Sequence, residues 1–79
     1  MREEVIDEIL ESILVGRQNS SEILAHLKKR NEDEGYGDLL QHMREQDLIE
    51  VDGEELTLLP KGRPRAESIV RRHRLAERL

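Results

Sequence analysis

The 79-residue sequence has no cysteine, no tryptophan and no phenylalanine, and Tyr36 is its only aromatic residue. Without cysteine there is no disulfide, no thiolate chemistry and no cysteine-based zinc site. Without large aromatics the core has to be built from Leu, Ile and Val, which suits short helices in one small domain. No apolar run is long enough to span a membrane, and the N-terminal "MREEVIDEIL" is too acidic for a secretory signal, so a soluble cytoplasmic protein is the expectation. A glycine-rich phosphate loop is also lacking. Gly35 and Gly37 flank Tyr36 in an acidic segment that would repel a phosphate or an oxyanion. The hydroxyls of Ser12, Ser20, Ser21, Thr57 and Ser68 stand in no recognisable nucleophile setting, and the sequence does not read as that of an enzyme.

Charge is plentiful but unevenly distributed. The net value is −5, with six Lys/Arg against sixteen Asp/Glu from Met1 to Pro60 and seven against two from Lys61 to Leu79. Such asymmetry marks either an interaction surface or an arginine-rich solvated last helix.

Apolar spacing divides the chain into elements. "EEVIDEILESILVG" carries Val5, Ile6, Ile9, Leu10, Ile13 and Leu14 at helical intervals, with Gly16 as a stop. "NSSEILAHLKKR" opens on the capping residues Asn19 and Ser20. It sets Ile23, Leu24 and Leu27 on one face and ends in Lys28, Lys29 and Arg30, which suit a helix C-terminus. After the polar break "NEDEGYG", a third helix over 36–46 points Leu39, Leu40 and Met43 inward. "LIEVDGEELTLL" then predicts a hairpin over 48–59 around Asp52-Gly53, and "PKGRP" predicts a turn with Pro64 as the first residue of a fourth helix. The order helix, helix, turn, helix, hairpin, helix describes a winged helix-turn-helix. That is an α+β fold, mainly α, with three helices, a two-stranded wing and the start of a fourth helix.

Two chemistries remain open. His73 and Glu77 stand at i and i+4, a spacing that lets imidazole and carboxylate point at one ion of Mn, Fe, Co, Ni or Zn, or simply at each other. Glu4 and Asp7 form a second same-face pair on the first helix. Nucleic-acid binding would use the third helix, where Gln41 suits adenine, Asp38 suits cytosine, and Tyr36, Gly37, His42 and Arg44 are further candidate DNA contacts. Arginines 63, 65, 71, 72 and 74 are candidate phosphate contacts if the fourth helix faces DNA. Against this stand Asp33, Glu34 and Asp38 at the start of the third helix and an acidic wing tip, "DGEE".

The stretch "LLPKGRPRAESIVRRHRLAERL" strongly resembles the segment that leaves the wing in the diphtheria toxin repressor family of iron- and manganese-dependent regulators. Pro60, Gly62, Arg63, Ala66, Arg71, His73, Arg74, Leu75, Ala76, Glu77, Arg78 and Leu79 carry the likeness. "MREQDLIE" is similar to the end of that family's recognition helix. The resemblance implies a DNA-binding winged helix over 1–63 and a linker helix over 64–79 leading to a dimerisation domain beyond this chain. The full-length parent would then be a homodimer on double-stranded DNA and this piece a monomer. It implies metal ligation by His73 and Glu77, with Glu4 and Asp7 matching the two helix-1 acids of the manganese-type members. Two oxygens and one imidazole favour Mn(II) or Fe(II). Where family recognition helices begin with small and hydroxyl residues, this sequence has Glu34, Gly35, Tyr36, Gly37 and Asp38. The departure leaves a second expectation standing: a winged-helix protein-interaction module whose acids, from Glu32 to Asp38 and from Asp52 to Glu55, dock a basic partner without reading DNA.

Overall fold

A computed structural model describes Glu3 to Glu77, with side chains described as far as His73. The chain is a mainly helical α+β arrangement. Its elements are α1 (Glu3–Leu14), α2 (Ser20–Lys29), α3 (Tyr36–Glu45), β1 (Ile49–Asp52), β2 (Glu55–Leu58) and α4 (Gly62–Glu77). Helix α3 thus ends one residue before the predicted boundary, and α4 begins two residues before Pro64. The early start has a local cause. The carbonyl of Leu59 accepts from both Gly62 N (2.9 Å) and Arg63 N (3.1 Å), so the first turn closes before the proline that lacks a donor.

Helices α1, α2 and α3 stop by the same device. Gly16, Asn31 and Asp47 take left-handed φ values of 102°, 58° and 58°. In each case the following N–H reaches back five residues, as in Arg17 N to Ser12 O (2.8 Å), Glu32 N to Leu27 O (2.9 Å) and Leu48 N to Met43 O (2.9 Å). The left-handed residue itself bonds three back, and together these bonds satisfy carbonyls that the helix leaves open. Only the glycine is a conspicuous stop in sequence. Asn and Asp serve because a short polar side chain tolerates that conformation.

The hairpin pairs Ile49 with Leu58, Glu50 with Thr57, Val51 with Leu56 and Asp52 with Glu55. The two turn residues are therefore Gly53 and Glu54, one step later than an Asp-Gly turn. This register puts Ile49, Val51, Leu56 and Leu58 on one face as apolar cross-strand pairs and leaves Glu50, Asp52, Glu55 and Thr57 on the exposed face. The segment before α2 adds a rung on the outer edge of β2. A bridge joins Asn19 to Glu55, with Ser20 N donating to Glu54 O (2.7 Å) and Leu56 N to Gln18 O (2.8 Å).

The core is aliphatic throughout. Val5, Ile6, Ile9, Leu10 and Ile13 of α1 meet Ile23 and Leu27 of α2, Leu39 and Met43 of α3, Ile49 and Leu56 of the hairpin, and Ala66 and Ile69 of α4. Leu14, Leu40 and Tyr36 pack against its edge, and Leu24 is half-buried. Helix α1 makes its most extensive interhelical contact with α4, so the first turns of the expected linker helix belong to the same core. Among the described residues Ser12 is the buried polar one, and its hydroxyl donates to Glu8 O at 2.9 Å, which offsets the cost of burying it.

Candidate functional site

The α1–α4 packing opens a cleft of about 430 Å³ lined by Glu4, Asp7, Glu8, Arg30, Glu32, Ile69, Arg72 and His73. Helical periodicity explains the α1 side, because Glu4, Asp7, Glu8 and Glu11 share one stripe at i, i+3, i+4 and i+7. Burial of Ile69 in the core then turns His73, four residues on, toward that stripe. Three of the four candidate metal ligands, Glu4, Asp7 and His73, thus line one cleft although Asp7 and His73 are far apart in sequence. The side chain of the fourth, Glu77, lies outside the described residues.

Asp7, Glu8, Arg30, Glu32 and His73 each have a protein partner. Asp7 Oδ1 accepts from Arg65 Nε (3.0 Å) and lies 2.8 Å from Arg65 Nη2, while the same guanidinium also bonds Glu3. The hydrogen bond from Arg65, and then its charge, hold the Glu3 carboxyl below its usual pKa. For Arg65 itself, burial works to lower the guanidinium pKa, but the bonds from Glu3 and Asp7 outweigh it and the net shift is upward. His73 Nδ1 lies 2.7 Å from Glu11 Oε2. Glu8 Oε1 meets His26 Nε2 at 3.1 Å and Arg30 Nη1 at 3.3 Å, and Arg30 Nε reaches Glu32 at 2.7 Å.

In this arrangement no three His, Asp or Glu side chains among the described residues converge on a common point that could hold a metal. The donor set still suits a hard divalent ion in kind, with carboxylates and an imidazole on one cleft. Binding through Asp7 Oδ1 displaces Arg65, and binding through His73 Nδ1 displaces Glu11. Sequence reading missed Glu11 and named Arg65 only as a candidate phosphate contact. Glu11 is visible in retrospect as the acid four residues after Asp7, whereas nothing local links Arg65 to residues 58 and 62 positions away.

On α3, Gly37, Gln41 and Arg44 run as one exposed stripe at i, i+4 and i+7, with Asp38 exposed beside them and His42 half-buried. Tyr36 is turned to a structural contact: its hydroxyl donates to Ser20 O (3.1 Å) and lies 2.9 Å from Ser20 Oγ, tying the start of α3 to the start of α2. Burial pushes the Tyr36 phenol up, the Ser20 hydrogen bond partly offsets this, and the charge of Glu54 adds to the rise.

The hairpin tip is anchored rather than free. The Glu54 carboxylate accepts from Ser21 N at 3.1 Å and from the Ser21 hydroxyl, placing a negative charge on the α2 N-terminus where the helix dipole favours it. Asn19 Oδ1 caps the same end by accepting from Glu22 N at 3.1 Å. Asp52, Glu54 and Glu55 line a cleft of about 590 Å³ with Glu22, Gln18, Asn19 and Gly16. Of the acids expected to form one docking face, Glu32 lines the α1–α4 cleft, whereas Asp52, Glu54 and Glu55 of the hairpin lie beside Glu22. Of the candidate phosphate-binding arginines, Arg63 and Arg71 are exposed, Arg65 is held by α1 and Arg72 lines the α1–α4 cleft; the Arg74 side chain lies outside the described residues.

No family model matches the chain, and neither a curated protein nor a solved structure does.

Proposed function

We propose that the chain is the winged helix-turn-helix domain of a metal-responsive DNA-binding regulator, with Mn(II) or Fe(II) as its effector. The observation that carries the reading is the meeting of Glu4, Asp7 and His73, from the first and last helices, on one cleft. The element order, with an Asn19 rung extending the hairpin, supports the winged-helix reading. Glu4, Asp7, His73 and Glu77 are the residues that would hold the ion, which supplies positive charge to an acid-rich junction. On α3, Gln41 presents an amide for the adenine edge, Asp38 an acceptor for cytosine, and Arg44 a guanidinium for guanine or phosphate. Tyr36 sets the angle between α2 and α3 through Ser20 instead of reading a base.

The acidic balance of the first sixty residues makes binding to random DNA weak without the ion, which favours a switch over a constitutive binder. The test is fluorescence anisotropy of a labelled duplex covering the DNA upstream of the protein's own gene, with and without Mn(II), at two salt concentrations. Binding that depends on Mn(II) and exceeds that to a scrambled duplex is expected. Metal-independent binding indifferent to sequence refutes the reading.

A second reading, a docking module for a basic partner, is favoured by the acidic cleft of Glu22, Asp52, Glu54 and Glu55. In that case Asp52→Asn with Glu55→Gln weakens capture of the partner, whereas in the regulator the same change strengthens non-specific DNA binding.

A further inference from the structure

The α1–α4 junction already contains a cation. The Arg65 guanidinium, on the second turn of α4, bonds Asp7 through both Nε and Nη2 and Glu3 through Nη2. Its side chain is 36% exposed and that of Asp7 31%, so this is a partly desolvated ion pair in which Nε and Nη2 both face the single oxygen Oδ1. Asp7 also lines the cleft that Glu4 and His73 share. One carboxylate is thus common to two cation positions. We propose that Arg65 is a resident competitor for the metal at Asp7, a built-in counter-ion that raises the metal concentration needed to load the cleft. The inference rests on the metal-site reading above and adds the residue that sets its threshold.

The coupling follows from charge. Arg65 neutralises Asp7 and Glu3 while the cleft is free of metal, so the acids of the first turn of α1 do not repel one another and α4 stays docked. A divalent ion at Asp7 releases the guanidinium toward Glu3 alone. By linkage, whatever holds Arg65 on Asp7 weakens metal binding by the same factor that metal weakens the Arg65 contact. Lysine at this position retains the charge but not the two guanidinium nitrogens that face Asp7 Oδ1, and so competes less well.

The test is calorimetric titration of Mn(II) into the wild-type chain, Arg65→Ala, Arg65→Lys and, as a charge control, Lys61→Ala, with circular dichroism confirming that each is folded. Arg65→Ala is expected to bind Mn(II) about fivefold tighter, the equivalent of ~1 kcal/mol for a partly exposed ion pair. Arg65→Lys falls between Arg65→Ala and wild type, and Lys61→Ala changes affinity by less than about twofold, since its charge is exposed and screened. In an Asp7→Asn background the gain from Arg65→Ala disappears. Equal affinity of wild type and Arg65→Ala overturns the competitor role while leaving the metal site standing. No Mn(II) binding by either protein overturns both. If Arg65→Ala is unfolded, Arg65→Lys decides: affinity equal to wild type removes the proposal.

Discussion

Gly62 offers a sharp test of the packing. A Cβ built at this position lies 2.1 Å from the carbonyl oxygen of Leu48, 2.9 Å from its carbon and 3.1 Å from its Cα. A relaxed carbon–oxygen contact is about 3.3 Å, so alanine demands a retreat of roughly 1 Å. Neither side can give easily. Leu48 O accepts from Leu59 N at 3.0 Å, Leu48 N donates to Met43 O at 2.9 Å, and Gly62 N donates to Leu59 O at 2.9 Å. Behind Gly62, Ala66 and Ile69 are buried in the core. Overpacking against a fixed backbone costs about 3 kcal/mol, the upper part of the usual range, and outweighs the ~0.5–1 kcal/mol that alanine gains over glycine in a helix. With each kcal/mol worth roughly 4–8 °C in a domain of this size, a net loss of about 2–2.5 kcal/mol lowers the melting temperature by roughly 8–20 °C. Total stability for such a chain is about 4–12 kcal/mol, so the variant stays measurable, at least in the cold. Gly37→Ala is the counter-experiment: it is also a helical glycine, it has no heavy atom within 4 Å of the built Cβ and no positive φ, and it should stabilise by ~0.5–1 kcal/mol. Both are read by circular dichroism at thermal and urea midpoints. A Gly62→Ala protein melting within about 3 °C of wild type, or above it, refutes the close approach of α4 to Leu48.

Three further outcomes follow from the core, the cap and the single tyrosine. Leu27 is fully buried where α2 meets α1, and Leu27→Ala is expected to lower unfolding free energy by ~2–5 kcal/mol with an unchanged urea m-value; a loss under about 1 kcal/mol contradicts its burial. Glu54→Ala removes the carboxylate from the α2 N-terminus and should cost about 1 kcal/mol, seen as a lower urea midpoint, whereas Glu55→Ala, with an exposed side chain on the outer face, should change little. Because burial raises the Tyr36 pKa, the folded chain keeps the phenol proton after the unfolded chain has lost it. Stability is therefore insensitive to this group below about pH 10 and falls as pH rises from that unfolded value through the higher folded one. Absorbance at 295 nm follows Tyr36 alone, as the only tyrosine, and a midpoint at or below 10 would contradict its burial.

Much of the architecture is legible because it is local. Val5, Ile6, Ile9, Leu10 and Ile13 repeat at helical intervals, Asn19 stands where a cap belongs, and Asp52-Gly53 marks a reversal between two apolar runs. Each of these signals acts over four residues or fewer, the range of a helical hydrogen bond or a tight turn. Other local devices escaped notice because their residue types are ambiguous: Asn31 and Asp47 end helices in the left-handed conformation, yet either side chain serves equally well in a loop.

The candidate metal residues were legible as two pairs, Glu4 with Asp7 and His73 with Glu77, each visible from spacing on one helix face. That Glu4, Asp7 and His73 line a single cleft depends on how α4 lies across α1, and that depends on Ala66 and Ile69 entering the core beside a glycine that admits Leu48. The hairpin register likewise shifted to Gly53-Glu54, where apolar cross-strand pairs and the Glu54 bonds to Ser20 and Ser21 agree.

By itself, then, the sequence determined the helices, their faces, the aliphatic core and the reversal of the hairpin, because periodicity and capping are properties of near neighbours. Only the tertiary structure decided which charges meet. Arg65 came to Asp7 and Glu3, Glu11 to His73, and Glu54 to the start of α2, across separations that no local spacing encodes. Those pairings are consequences of burial elsewhere. Once the apolar faces of α1 and α4 are pressed together, the charged residues at their margins have a limited choice of partners, and the choice they make controls what the cleft can bind.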